Sequence, residues 1–177
     1  MNIVKMKNNK EVVLRLPLES DAIDIIKFYN IVAEETTYLS FGKDEYKVSV
    51  EAQESIIKST NESDNNTMVL ATIENEIVGI GTIFSNQKKK GKHVGILGIV
   101  IKKEHCDLGL GKVMMDYLID WCKSNNITTK ISLSVRKDNA RGIALYKKCG
   151  FETEGILKNE TYIDGEFFDI VVMGLVL

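Results

Sequence analysis

Cysteine, histidine and proline are scarce in this sequence, and each scarcity closes a door. Its three cysteines, Cys106, Cys122 and Cys149, are widely spaced with no CxxC pair. That spacing supports neither a disulfide framework nor a zinc site, and a reducing cytoplasm is the compartment expected. The two histidines, His93 and His105, are too few for a histidine-based metal centre, so no metal is expected. No window approaches the length needed to cross a bilayer, and the first residues, MNIVKMKNNKEVVLRLP, lack a continuous apolar stretch. The reading is a soluble protein with no membrane partner. A net charge of -2 and a pI near 5.8 give no overall basic field, so nucleic acid is not expected as a partner either. The basic cluster QKKKGKH at 87–93 reads as a solvated turn between strands. With 44% hydrophobic and 27% charged residues, 13 glycines and a single proline, the composition is that of one globular domain over residues 1–177.

What is present has a clear order. EVVLRL at 11–16 reads as a strand, and Ala22, Ile25, Ile26, Tyr29 and Val32 follow at helical spacing, with Ser20 or Asp21 as the cap. TTYLSFGKDEYK at 36–47 breaks the period and reads as a loop, and a weaker helix covers 48–59. TMVLATI and IVGIGTIF around ENE predict an antiparallel hairpin. HVGILGIVI at 93–101 is the near-continuous apolar run of a strand covered on both faces, interrupted by Gly95 and Gly98, which mark a bulge or a close ligand. A helix over about 109–123 precedes a strand at 130–135, and a helix between two strands makes them parallel neighbours. A short helix capped by Asp138 or Asn139 ends at Gly150, and two last runs flank Asp164-Gly165, a strong hairpin signal. The fold expected is α/β: a mixed, mostly antiparallel sheet of about seven strands with a central parallel pair and about four helices on both faces.

The stretch CDLGLGK at 106–112 looks built to hold a phosphate. A nucleotide-hydrolysing P-loop would need glycine at 106 and Ser or Thr at 113, where Cys106 and Val113 stand, and a dinucleotide fingerprint would need glycine at Met114. What remains is a strand, a loop and a helix start whose free N–H groups and positive dipole end suit a pyrophosphate. Gly109 and Gly111 would let that backbone approach the anion, and Lys112 would add charge. A plain strand-to-helix turn is the other reading of the same residues. In NARGIALYKKCGF, Asn139 and Tyr146 are seven residues apart, nearly two turns, so an amide and a phenol share one helix face.

The succession of strand, CDLGLG, helix, strand, NARGIALYKKCGF and hairpin closely resembles the GNAT superfamily of acetyl-CoA-dependent N-acetyltransferases, over residues 12–177. It is most similar to the branch of small-amine, amino-acid and protein N-terminal acetyltransferases. The family's loop opens with Gln or Arg where this chain has Cys106, which removes one side chain from the pyrophosphate site and leaves the backbone donors. The resemblance implies that acetyl-CoA is the cosubstrate. Backbone groups of Ile99, Val100 and Ile101 would bind pantetheine, amides of Leu108, Gly109, Leu110, Gly111 and Lys112 the pyrophosphate, and Asn139 the pantetheine arm. Tyr146 would stand near the thioester sulfur as a catalytic group, either protonating the leaving thiolate or hydrogen-bonding to it. The central parallel strands would splay where the cofactor enters, beside Gly98.

The reaction implied is direct attack of a neutral amine on the thioester, with a backbone N–H near Leu97 to Ile99 on the developing oxyanion. An α-amine is already about 10% neutral at pH 7, against about 0.04% for a lysine-like amine, so it barely needs a base. Glu34 and Glu35 are the candidates for substrate contact or a water-mediated base, and a solvated helix end explains both equally. Tyr38 and Phe41 either wall the acceptor pocket or simply pack. The acceptor expected is a primary amine, with a small-molecule α-amine favoured over a protein N-terminus, and a homodimer is compatible with the sequence. A non-catalytic acyl-CoA-binding domain is the rival from another class.

Overall fold

Alternating apolar residues in the strands and two helical stripes of different composition sort the core into two layers, one on each face of a single sheet. The computed structural model describes residues 2–177. In chain order the elements are β1 (Asn2–Lys5), β2 (Glu11–Arg15), α1 (Ala22–Glu35), α2 (Val50–Asn61), β3 (Thr67–Ile73), β4 (Glu76–Ser85), β5 (Val94–Ile101), α3 (Leu110–Ser124), β6 (Lys130–Arg136), α4 (Ala140–Lys148), β7 (Glu152–Ile163) and β8 (Glu166–Val176). The strands form one sheet in the order β1-β2-β3-β4-β5-β6-β8-β7. Every pairing is antiparallel except β5 with β6. Among the described residues no helix is long and apolar enough to cross a membrane.

On one face α3 lays Met114, Met115 and Leu118, all fully buried, against Val69, Ile83, Ile131 and Met173. Each such side chain contributes about 1.5–3 kcal/mol by leaving water. On the other face α1 and α2 bury Ile25, Phe28 and Ile57 against Leu70, Ile77 and Ile80. Because side chains alternate along a strand, Leu97, Ile99 and Ile101 of β5 join the α3 layer while Val100 joins the α1 layer. The turn between β7 and β8 has positive φ at both central residues, Asp164 (+50°) and Gly165 (+92°), as the Asp-Gly pair predicts.

The structure departs from the expectation in four places. The sheet has eight strands, because Asn2–Lys5 pairs with Glu11–Arg15 as an added edge. Asp21 stands at the N-cap of α1 but makes no side-chain cap bond: its carboxylate instead accepts two hydrogen bonds of 2.7 Å from Arg15 and one of 2.7 Å from the Leu18 N–H, and Ser20 lies in a 3-10 turn ahead of the helix. The second helix starts at Val50, where Ser49 accepts from the Ala52 N–H. Finally, β5 is not covered on both faces: Ile96 is exposed and Ile99 to Ile101 are only half-buried. Its apolar run serves a cleft as well as the core.

Candidate active site

The parallel pairing of β5 and β6 is short. It joins Val94, Gly95 and Ile96 to Lys130, Ile131 and Ser132 and then stops. Past that point β5 continues along β4, from Leu97 opposite Ile83 to Ile101 opposite Gly79, and β6 continues along β8. The two facing edges separate, and every second peptide group on each points into the gap. Gly98 lies at the start of the divergence, opposite Thr82, whose Oγ1 is 2.8 Å from where a Cβ on Gly98 would stand. A cleft of about 1900 Å³ opens there, with Leu97 to Ile101 on one wall and Ser134 to Arg136 on the other.

At the end of β5, Asp107 (φ +63°) and Gly109 (φ +90°) fold the chain back into α3. Gly109 occupies the helix cap in a left-handed conformation that glycine adopts without steric cost. The N–H groups of Leu110, Gly111 and Lys112 form the first turn, where no carbonyl of the helix can reach them. Leu110 is buried in the α3 layer and the Lys7 N–H donates to the Leu108 carbonyl at 3.2 Å, so both ends of the loop are tied down. Leu108 through Lys112 do not themselves line the cleft, whereas Cys106 and Arg141 do. The Lys112 ammonium pairs with Asp116, one turn along, at 2.6 Å. Burial pushes the Cys106 thiol up, so it sits at the cleft as a neutral SH.

Asn139 and Tyr146 both line the cleft from α4. Asn139 caps the helix, its Oδ1 accepting from the Gly142 N–H at 2.9 Å. Tyr146 packs its ring near Phe151, and burial, with a smaller contribution from Cys149, pushes its phenol up to about 12. It therefore keeps its proton throughout the neutral range.

The far part of the cleft is walled by the end of α1, by residues 36–46 and by the tip of the β7–β8 hairpin, Glu160 to Asp164. Glu35 lines it, and its Oε2 accepts a 2.8 Å hydrogen bond from the Lys103 N–H. Glu34 does not line it and pairs instead with Lys43 at 3.2 Å on the surface. Tyr38 and Phe41 are both cleft residues. Phe41 meets Tyr29 edge-to-face and Tyr46 at a tilt, at centroid distances of 5.8 and 5.2 Å, and the Tyr46 hydroxyl donates to Gln53 Oε1 at 2.8 Å. Three cleft groups were not anticipated: Arg136, Arg141 and the hairpin tip. Arg141 is written in the Asn139 motif itself, one residue into α4. Arg136 lies one residue past the strand read at 130–135, which the structure extends to include it.

Residues 26–151 match the model of the acetyltransferase (GNAT) family. The chain belongs to this family. It is 33% identical over 108 residues to the L-amino acid N-acetyltransferase AaaT of Escherichia coli K12, covering 61% of this chain and 67% of that protein. It is also 32% identical over 72 residues to a spermidine N(1)-acetyltransferase of Vibrio cholerae, and there the match spans only 42% of the relative. Among solved structures, a GNAT-family acetyltransferase from Streptococcus pneumoniae superposes with a TM-score of 0.92 at 32% identity, covering 94% of this chain and 99% of that one. The Salmonella typhimurium protein yncA, solved with its cofactor acetyl-CoA, shares the fold with a TM-score of 0.81 at 16% identity, over 93% of each chain. The GNAT chain described here is an acetyl-CoA-dependent acyltransferase. Its cleft fits that cosubstrate. An open strand edge offers alternating donors and acceptors to an extended amide-bearing arm, and a helix start suits its pyrophosphate.

Proposed function

We propose that the protein transfers the acetyl group of acetyl-CoA to the α-amine of a small molecule, by direct attack within a ternary complex. The observation that carries this reading is a single cleft lined both by the diverging edges of β5 and β6 and by Glu35 at the end of α1. Backbone groups of Ile99, Val100 and Ile101 bind the pantetheine arm, the Asn139 amide contacts it from α4, and the first-turn amides of α3 take the pyrophosphate. Arg141, at the rim beside Asp107 at 3.5 Å, supplies the cationic side chain that neither Cys106 nor Lys112 provides.

The amine nitrogen forms its bond to the thioester carbon, the C–S bond breaks, and the sulfur leaves as thiolate. A backbone N–H in the segment Leu97 to Ile99 stabilises the oxyanion. A phenol near 12 is too weak an acid to hand its proton to a thiolate of pKa about 8.5, a transfer uphill by about 5 kcal/mol. Tyr146 instead donates a hydrogen bond to the departing sulfur. Glu35, through water, receives the proton that the nitrogen gives up on becoming an amide.

A small acceptor is favoured over a protein N-terminus because residues of the 36–46 segment and of the hairpin tip both contribute to the cleft lining. The likeness to an L-amino acid N-acetyltransferase supports the same choice. The test is thiol release from acetyl-CoA with a panel of amino acids, polyamines and peptides. Turnover of free α-amines above peptides of matched first residue supports the reading, and preference for peptides overturns it.

A further inference from the structure

Arg136, the last residue of β6, is 7% exposed and lines the cleft together with Thr37 and Asn139. Its Nε and Nη2 donate to the Asp138 carboxylate at 3.0 and 2.6 Å, in the turn that leads to Asn139. Its Nη1 donates to the carbonyl and hydroxyl of Thr37 at 2.9 and 3.2 Å, across 99 residues of sequence. Aromatic rings accompany the guanidinium: Phe168 of β8 at 4.0 Å and Tyr38 at 4.8 Å from Cζ to centroid. Residues 36–47 contain no helix and no strand, so their course depends on such side-chain ties.

We propose that Arg136 is the positioning residue that ties the acceptor-binding segment to the start of α4, and so sets where the amine stands relative to the thioester. The inference rests on the acetyl-transfer reading above. Three kinds of contact converge on one planar group: the Asp138 pair orients the plane, the rings support its faces, and the remaining edge grips Thr37. A lysine could keep the charge but neither the fork nor the stacking. With four hydrogen bonds already made to Asp138 and Thr37, Arg136 is committed to the protein and is not the group that recognises an acceptor's carboxylate.

Arg136→Lys tests this with two readouts on the full chain. The shift in melting temperature caused by acetyl-CoA should be retained, while kcat/KM for the best amine of the panel falls about 10- to 100-fold, through kcat as the bound amine is misplaced and through KM as the acceptor segment loosens. A purely stabilising residue would lower the melting temperature and leave the amine KM alone. Thr37→Val, which deletes one hydrogen bond of the tie and leaves the core untouched, should raise the same KM about 3-fold or more. Unchanged amine kcat and KM in both variants, with wild-type turnover intact, overturn the assignment alone. Absence of turnover in the wild type on every amine would bring down the acetyl-transfer reading and this inference with it.

Discussion

The Lys103 N–H donates to the Glu35 carboxylate at 2.8 Å, joining the end of α1 to the loop that follows β5 across 68 residues. Glu35 is thereby fixed at the cleft by a backbone donor, while its neighbour Glu34 faces outward to Lys43. A hydrogen bond from backbone restricts the rotamers of the acid without consuming both carboxylate oxygens.

Glu35→Gln keeps an oxygen that can accept from Lys103 and removes the group able to take up a proton. Steady-state kinetics with the best α-amine should show kcat lower by about 10-fold or more, at the weak end of general-base effects because an α-amine is partly neutral already. Glu34→Gln should stay within about 2-fold of wild type, as surface ion pairs contribute little. Equal losses in the two variants would refute the distinction.

Tyr146→Phe should lower kcat by about 10-fold while acetyl-CoA still raises the melting temperature, since the hydrogen bond it removes forms mainly with the developing thiolate. The pH profile supplies a second check. With the folded phenol pushed up to about 12, its deprotonation lies above the working range, so it should contribute no falling limb to kcat below about pH 11. Stability carries the matching sign. The native state holds this proton more tightly than the unfolded chain, so the contribution of Tyr146 is intact below about pH 10 and is lost between about pH 10 and 12.

Lys112→Ala should change acetyl-CoA affinity by less than about 3-fold, because the ammonium is committed to Asp116 in an exposed i,i+4 pair. Arg141→Ala, at the cleft rim, should weaken binding by about 10-fold, the scale of a charge-assisted contact to phosphate. Titration calorimetry with CoA and with dephospho-CoA separates the contact to pyrophosphate from one to the ribose phosphate.

Gly109→Ala places a Cβ on a residue at φ +90° and should cost about 1–2 kcal/mol, or about 2–8 °C in Tm for a chain of this size. Acetyl-CoA binding should weaken as well, because the same turn aims the first amides of α3. Thermal melts with and without cosubstrate measure both.

Periodicity was enough to place α1, α3, α4 and the hairpins, because each is amphipathic over several turns or bounded by a strong turn signal such as Asp164-Gly165. β1 escaped because a four-residue edge strand that leaves Ile3 63% exposed carries no buried face to read. The role of Asp21 was misjudged for a tertiary reason: Arg15 lies six residues away in sequence and takes the carboxylate that would otherwise cap the helix. Lys112 shows the opposite lesson. Its partner Asp116 was visible at i,i+4, a local pairing that the sequence spells out directly. Arg136 depends on Thr37 and Phe168, which reach it only through the folded sheet, so no local pattern announces it.

The early end of the β5–β6 ladder has one more consequence. A central sheet that stops pairing at Ile96 and Ser132 is an unfinished one, with vacant hydrogen-bonding positions on both sides of the gap. An amide-bearing arm lying along β5 would stand in for the absent rungs, much as an added strand would. Cosubstrate binding would then be a completion of secondary structure, and its imprint should be slowed amide hydrogen exchange along Leu97 to Ile101.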